Sequence, residues 1–217
     1  MNKNISKTFA DSYDTYSSEN HWYSPEVLFG LSYEYIRPDN NLLDIGIGTG
    51  LSSDLFHRAG LSIYGIDSSE HMIAVCKSKH LAHELKVHDI ADLPLPYGDT
   101  FFDIVIANGI FHLTGEIDPL FSEIYRLLQK NGILAFTTDP MKRQDQRDYS
   151  ETDTTGVWRM HNDEHDFWLY KHTDDYIYSL IHKKKFTLLK SMEFCAFRSI
   201  AEKRDVHFQA YIIHKTK

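Results

Sequence analysis

Three glycines recur at every second position in Leu42-Leu43-Asp44-Ile45-Gly46-Ile47-Gly48-Thr49-Gly50. A glycine has no side chain, so a ligand can lie against its backbone, and it accepts backbone angles closed to other residues. The N–H groups at the start of the helix that follows have no partner within that helix and face the same ligand. Two acids lie downstream. Asp67 closes the apolar run Leu61–Ile66, where a carboxylate can accept hydrogen bonds from both hydroxyls of a ribose. Its alternative role is a helix N-cap, for which Ser68 or Ser69 would serve equally. Asp89, in His88-Asp89-Ile90, would by itself read as a solvated loop carboxylate. Asn108 and His112 follow a further apolar run, Phe102–Ala107. His112 is expected to pin its turn by a hydrogen bond, a role preferred over general-base chemistry.

The elements that must position these residues follow from the hydrophobic pattern. Strands are expected at 41–46, 61–66, 85–88, 102–107 and 133–138, with helices at 50–59, 69–80 and 117–128. Thr173 should cap a last helix running to about Lys184, and strands at 186–190 and 206–214 should close the chain around a hairpin within 194–205. Phe9, Tyr13 and Tyr16 fall at helical spacing, and most of these rings are expected to pack on the core. Pro38-Asp39-Asn40-Asn41 is a turn. From Asp139 to Lys171 the order breaks down into a polar, then threonine-rich, then aromatic stretch. A connection of that length is rarely idle.

Composition narrows the classes. The chain has 217 residues, 42% of them hydrophobic, enough for one large α/β domain with added elements. No apolar run has the length of a membrane span, and no apolar segment follows Met1–Lys7, so neither membrane nor secretion is expected. The two cysteines, Cys76 and Cys195, suggest no disulfide framework, and the cytoplasm is the simplest compartment. A net charge of -8 argues against nucleic-acid partners. Lys183-Lys184-Lys185 reads as a solvated helix end. The thirteen histidines are scattered without metal-ligand spacing, so no metal is expected.

Among glycine-loop folds, the P-loop is excluded because no Gly-Lys-Ser/Thr follows the turn. The dinucleotide fingerprint needs a small residue where Leu51 stands, which weakens it. Asp44-x-Gly46-x-Gly48-x-Gly50 instead resembles motif I of the class I S-adenosylmethionine-dependent methyltransferases. Gly65-Ile66-Asp67-Ser68-Ser69-x-x-Met72 resembles the second signature, His88-Asp89-Ile90 the third, and Asn108–Leu113 the stretch beside the methionine part of the cofactor. Leu127–Leu134 is similar to the family's Leu-Lys-Pro-Gly-Gly-x-Leu segment, with Asn131 in place of proline.

The resemblance implies a Rossmann-like α/β fold: seven strands, mostly parallel with one antiparallel C-terminal strand, and helices on both faces. It implies S-adenosylmethionine as cofactor, held by Asp44, Gly46, Gly48, Gly50, Asp67, Ser68, Met72, Asp89, Ile90 and Asn108. Residues 1–37 resemble a segment that closes over the cofactor, with Tyr13 or Tyr16 as lid and Tyr16 as a contact. The 139–171 stretch corresponds to the loop that covers the acceptor, with His112, Trp158, His161 and Tyr170 as candidate acceptor contacts. The expected activity is methyl transfer to a small-molecule acceptor. A protein that binds S-adenosylmethionine without transferring its methyl group is the alternative, and a nicotinamide-dependent oxidoreductase a third reading. Acceptor atom and oligomeric state stay open.

Overall fold

The computed structural model describes residues 5–163, 166–200 and 203–216. Met1–Asn4, part of the segment read above for a leader, lie outside them. Six of the seven main-sheet strands run parallel: β1 (Asn41–Ile45), β2 (Ser62–Asp67), β3 (Glu84–Val87), β4 (Phe102–Ala107), β5 (Leu128–Thr138) and the edge strand β9 (Phe186–Ser199). β10 (Arg204–Lys215) lies between β5 and β9 and is antiparallel to both. The order is β3-β2-β1-β4-β5-β10-β9.

Alternation within the strands divides the core in two. Leu43, Ile45, Val105, Ala107, Leu134 and Phe136 face one way, onto α5 (Asp118–Leu127) and α6 (Asp174–Lys183). Leu42, Ile104, Ile106 and Ala135 face the other way, onto α2 (Ser24–Ser32), α3 (Leu51–Arg58) and α4 (Glu70–Ser78). Both faces are covered, so the central strands read as continuous apolar runs.

The expected elements are present with boundaries shifted by a few residues, and four features differ in kind. The first is that β9 and β10 are longer than expected, because Phe194 and Ala196 keep facing the core while Phe197 pairs with Val206 across the ladder. The hairpin expected within 194–205 is therefore mostly strand. Secondly, α2 was not foreseen, although Pro25 in its first turn is a start signal. Next, α1 (Lys7–Glu19), capped by the Ser6 hydroxyl accepting from Phe9 N–H at 3.2 Å, does not pack its whole aromatic stripe on the core. Phe9 and Tyr16 stay 42% and 53% exposed, touching each other and Tyr13 instead. Finally, the lysine run does not end free in solvent: Lys183 and Lys184 donate to Asp118 at 2.7 and 2.5 Å. Asn131 has φ +64°, an angle closed to proline, so the turn before the long part of β5 is built differently from the family segment it resembles.

After β5, β6 (Ser150–Glu151), β7 (Val157–Asn162) and β8 (Phe167–His172) form a small antiparallel sheet. It attaches to the end of β5 through a bridge between Pro140 and His172 and a 3.0 Å bond from Met141 N–H to the His172 carbonyl.

Candidate functional site

β1 must turn sharply to enter α3 above the carboxyl ends of the strands. Gly46 and Ile47 donate to the Ile66 carbonyl at 2.8 and 3.0 Å, which fixes the turn against β2. A Cβ on Gly46 would come within 2.4 Å of the Ile110 side chain, and one on Gly50 within 3.0 Å of Cys76 and Leu81. At Gly48, with φ +54°, a Cβ would meet nothing within 4 Å. Two of the glycines are thus required by packing, and Gly48 is the one whose backbone borders open space. Asp44 lies beneath the loop, fully buried, and accepts from the Ser53 hydroxyl at 2.7 Å. Burial pushes its carboxyl up to about 7, opposed by the Ser53 bond and aided by the charge of Asp67. It supports the loop and lines neither of the cavities described next.

Asp67, buried at the end of β2, is not itself among the lining residues of the two cavities of about 690 and 680 Å³, but it is bonded to one residue of each. One carboxylate oxygen accepts from Gly48 N–H at 3.0 Å, and Gly48 lines the first cavity. The other accepts from Ser69 N–H at 2.8 Å, and Ser69 lines the second. Burial raises the Asp67 carboxyl above its ordinary range; the two N–H donors oppose this, and Asp89 adds to it. Ser68 and Asp89 line the second cavity, and the Ser68 hydroxyl is buried without a hydrogen-bond partner. Met72 and Ile90 are buried in the core and are not among the lining residues.

On the first cavity's side, Asn108 leaves β4 and binds four elements together. Its carbonyl accepts from the hydroxyls of Ser24 (2.5 Å) and Thr137 (2.9 Å), and its amide donates to Ser52 at 3.0 Å. Thr137 in turn accepts from Gly109 N–H at 2.9 Å. Helix α1 borders the first cavity through Tyr13, Tyr16 and Ser17, and its cap, Ser6, borders the second. It is tied to the glycine loop by Asp14, which accepts from the Thr49 hydroxyl at 2.6 Å and pairs with Lys79. Tyr13 is buried near Asp67, and that burial raises its phenol above the ordinary value.

The far wall of the first cavity comes from the small sheet, β9 and β10. Lys171 sits between Asp139 and Asp145, 2.9 Å from each, with its side chain only 13% exposed. Burial raises the Asp139 carboxyl, with Lys171 pulling the other way. Tyr170 and His112 line this side. His112 forms no hydrogen bond with the described residues, so it does not pin its turn; the backbone does so, through Leu113 N–H to the Ile110 carbonyl at 2.9 Å. Burial, with a smaller contribution from His172, lowers the His112 imidazole to about 4. His161 faces away from the cavity, 2.7 Å from Asp163 and edge-on to Trp168, and Trp158 is not among the lining residues either. The lining also includes Trp22, Tyr149, Met160, Phe197 and Phe208. Their signal in the sequence was only aromatic density and strand alternation, which does not say what they face. Among the described residues no group of three or more His, Cys, Asp or Glu gathers as a metal cage, and no helix is long and apolar enough to cross a membrane.

Residues 43–136 match the family described as "Methyltransferase domain". The malonyl-[acyl-carrier protein] O-methyltransferase of Serratia marcescens is 28% identical over 113 residues, 52% of this chain and 43% of that protein. The ubiquinone biosynthesis O-methyltransferase of Pelagibacter ubique is 36% identical over 98 residues, 45% of this chain and 41% of that protein. The chain thus spans less than half the length of these relatives. A crystal structure of a SAM-dependent methyltransferase from Methanosarcina mazei superposes with a TM-score of 0.72 at 18% identity, covering 85% of this chain and 96% of that one.

Proposed function

We propose that this chain, which belongs to the class I S-adenosylmethionine-dependent methyltransferases, transfers the methyl group of that cofactor to a small-molecule acceptor. The observation that carries the reading is Asp67. It is a buried carboxylate at the end of β2, with one oxygen accepting from the backbone of the open glycine loop and the other from Ser69 N–H, and Ser69 lines the second cavity. The residues fit the cofactor. Gly48 leaves backbone exposed to the first cavity, and the orphaned Ser68 hydroxyl and Asp89 offer polar partners in the second. In this reading the glycine loop lies against the amino acid and ribose, Asp67 takes the ribose hydroxyls, and Asp89 with the Ile90 backbone takes the adenine. When bound, S-adenosylmethionine supplies a methyl carbon already made electrophilic by its sulfonium. The protein's own work is to hold the acceptor in line with that carbon and to keep water out. Asn108 fixes the end of β4 where the two would meet, and α1 with the small sheet covers the space.

The open first cavity favours transfer over cofactor binding alone, because it continues from Gly46 and Gly48 to Tyr170, Met160 and Phe208. Segments 1–37 and 139–171 act in this reading as cap and acceptor cover of one methyltransferase unit. Both curated relatives are named as O-methyltransferases, but the matched family region, 43–136, ends before the acceptor cover.

Calorimetric titration with S-adenosylmethionine and S-adenosylhomocysteine tests the reading. Micromolar binding by the wild-type chain, weakened at least tenfold in Asp67→Asn, is the expected result. A folded wild-type chain that takes up neither ligand would sink it.

A further inference from the structure

His112 leaves β4 in the short turn Phe111–Leu113 and stands in the wall of the first cavity. Its ring contacts Phe208, with centroids 6.2 Å apart. Phe208 meets Trp22 edge-on at 5.7 Å, and Trp22 meets Phe197 at 5.9 Å. Trp22 also lies over Gly109, where a Cβ would come within 3.1 Å of its ring. The imidazole is therefore a polar group set into a wall of flat apolar rings, one turn beyond Asn108. Its nitrogens have no partner among the described residues, and neither is sealed off from the cavity. A neutral imidazole carries one N–H and one bare nitrogen, and the bare one accepts hydrogen bonds. Burial keeps this one neutral well below physiological pH. Rings of this kind favour a flat partner in offset or edge-on contact.

We propose that His112 takes up the acceptor's proton, and that the acceptor is a flat ring compound whose reacting hydroxyl or N–H points at this imidazole. This rests on the cofactor reading above. The proton passes from the acceptor's oxygen or nitrogen to the bare imidazole nitrogen. A lone pair on that oxygen or nitrogen forms the new bond to the methyl carbon, and the carbon–sulfur bonding pair leaves on sulfur. The imidazolium then releases its proton to water. Of the carboxylates that line the same cavity, Asp139 and Asp145 are both held by Lys171.

The test uses the full chain saturated with S-adenosylhomocysteine and titrated with 2-naphthol and with 2-methoxynaphthalene, the same ring without its exchangeable proton. The wild-type chain is expected to bind the naphthol about fivefold to tenfold more tightly than its ether, the worth of one hydrogen bond. His112→Phe should abolish that preference, and His112→Gln, which keeps an acceptor atom, should restore part of it. Three results would overturn the proposal: a preference unchanged in His112→Phe, equal binding of the two compounds by the wild-type chain, or no binding of either. Failure of the cofactor reading shows separately, as absent S-adenosylhomocysteine binding in the titration that precedes the ring compounds.

Discussion

The half of the molecule from β1 to β5 and the half that forms the far wall of the first cavity are held together by different forces. In the first, the glycine loop, Asp67 and Asn108 are fixed by backbone turns, main-chain N–H donors and saturated hydrogen bonds. In the second, Lys171, His112, His172 and the Trp22–Phe197–Phe208 rings are brought together from β4's end, β8, β9, β10 and the turn before α2. A site shaped by the backbone tolerates little change at its glycines. A site assembled from side chains can change its ligand without changing its fold. That difference fits a cofactor common to a family above an acceptor particular to each member.

The largest test breaks the first half. Gly46→Ala would place a methyl 2.4 Å from Ile110 at φ +76°. Left-handed backbone and overpacking each cost about 1–3 kcal/mol. A loss of about 4 kcal/mol in denaturant unfolding is expected, together with loss of S-adenosylhomocysteine binding. Gly48→Ala meets open space, so it should cost only about 1 kcal/mol of backbone strain while weakening the cofactor. Equal stability losses at the two positions would contradict the packing argument for Gly46.

The second half should fail in acid. His172 donates through Nε2 to the Gly115 carbonyl at 2.7 Å, and its other nitrogen is buried without a partner. Burial holds the imidazole down to about 4 from an ordinary 6.5, partly offset by the Gly115 bond. Between those values the unfolded chain takes up a proton that the folded chain refuses. The stability contributed by neutral His172 is therefore whole above pH 6.5, falls as pH drops, and is gone below 4. That amounts to about 3 kcal/mol. His112 acts in the same direction. His172→Gln keeps a donor for Gly115 and cannot titrate, so its unfolding free energy should vary less between pH 7 and 4 than the wild type's.

Lys171→Met is expected to cost about 2 kcal/mol at neutral pH, less than a fully buried pair would, because the cluster is partly accessible. Asp139, already raised by burial, loses the cation that opposed the rise. The destabilisation should therefore be larger at pH 7, where the carboxylate must stay charged, than at pH 4. A pH-independent loss would mean that the lysine contributes through packing alone.

The first half was legible because its signals are local. Gly46, Gly48 and Gly50 lie within five residues, and Asp67 ends an apolar strand whose length sets its place. The second half was legible only as an aromatic excess. Which face of β7 and β8 looks inward depends on how the small sheet docks on β5, through Pro140 and His172. No periodicity within 139–171 states that docking. Of the three candidates from this stretch, Tyr170 lines the cavity and Trp158 and His161 do not, while Met160, not a candidate, lines it as well. The hydrogen bond expected of His112 was an inference from its turn, and the turn is closed by its own backbone.

Helix α1 joins the two halves, and the smallest effect is expected there. Its aromatic spacing gives a helix and the family resemblance a lid; its residues line the first cavity and its cap, Ser6, the second. Its tie to the glycine loop is polar: Asp14 with the Thr49 hydroxyl and Lys79. Part-exposed ties of this kind contribute about 1 kcal/mol or less, so Asp14→Ala should leave unfolding nearly unchanged. A cover held by so little can still set how fast a ligand leaves, because opening is local and does not require the core to unfold. Trp22 lines the first cavity and provides a fluorescence signal. Stopped-flow dissociation of S-adenosylhomocysteine should be several-fold faster in Asp14→Ala, at nearly unchanged melting temperature. Equal dissociation rates would show that α1 does not limit release and that the cofactor half needs no help from its cover. A large drop in melting temperature would instead place α1 within the first half's core, and the division between backbone-built and side-chain-built regions would have to be redrawn to include it.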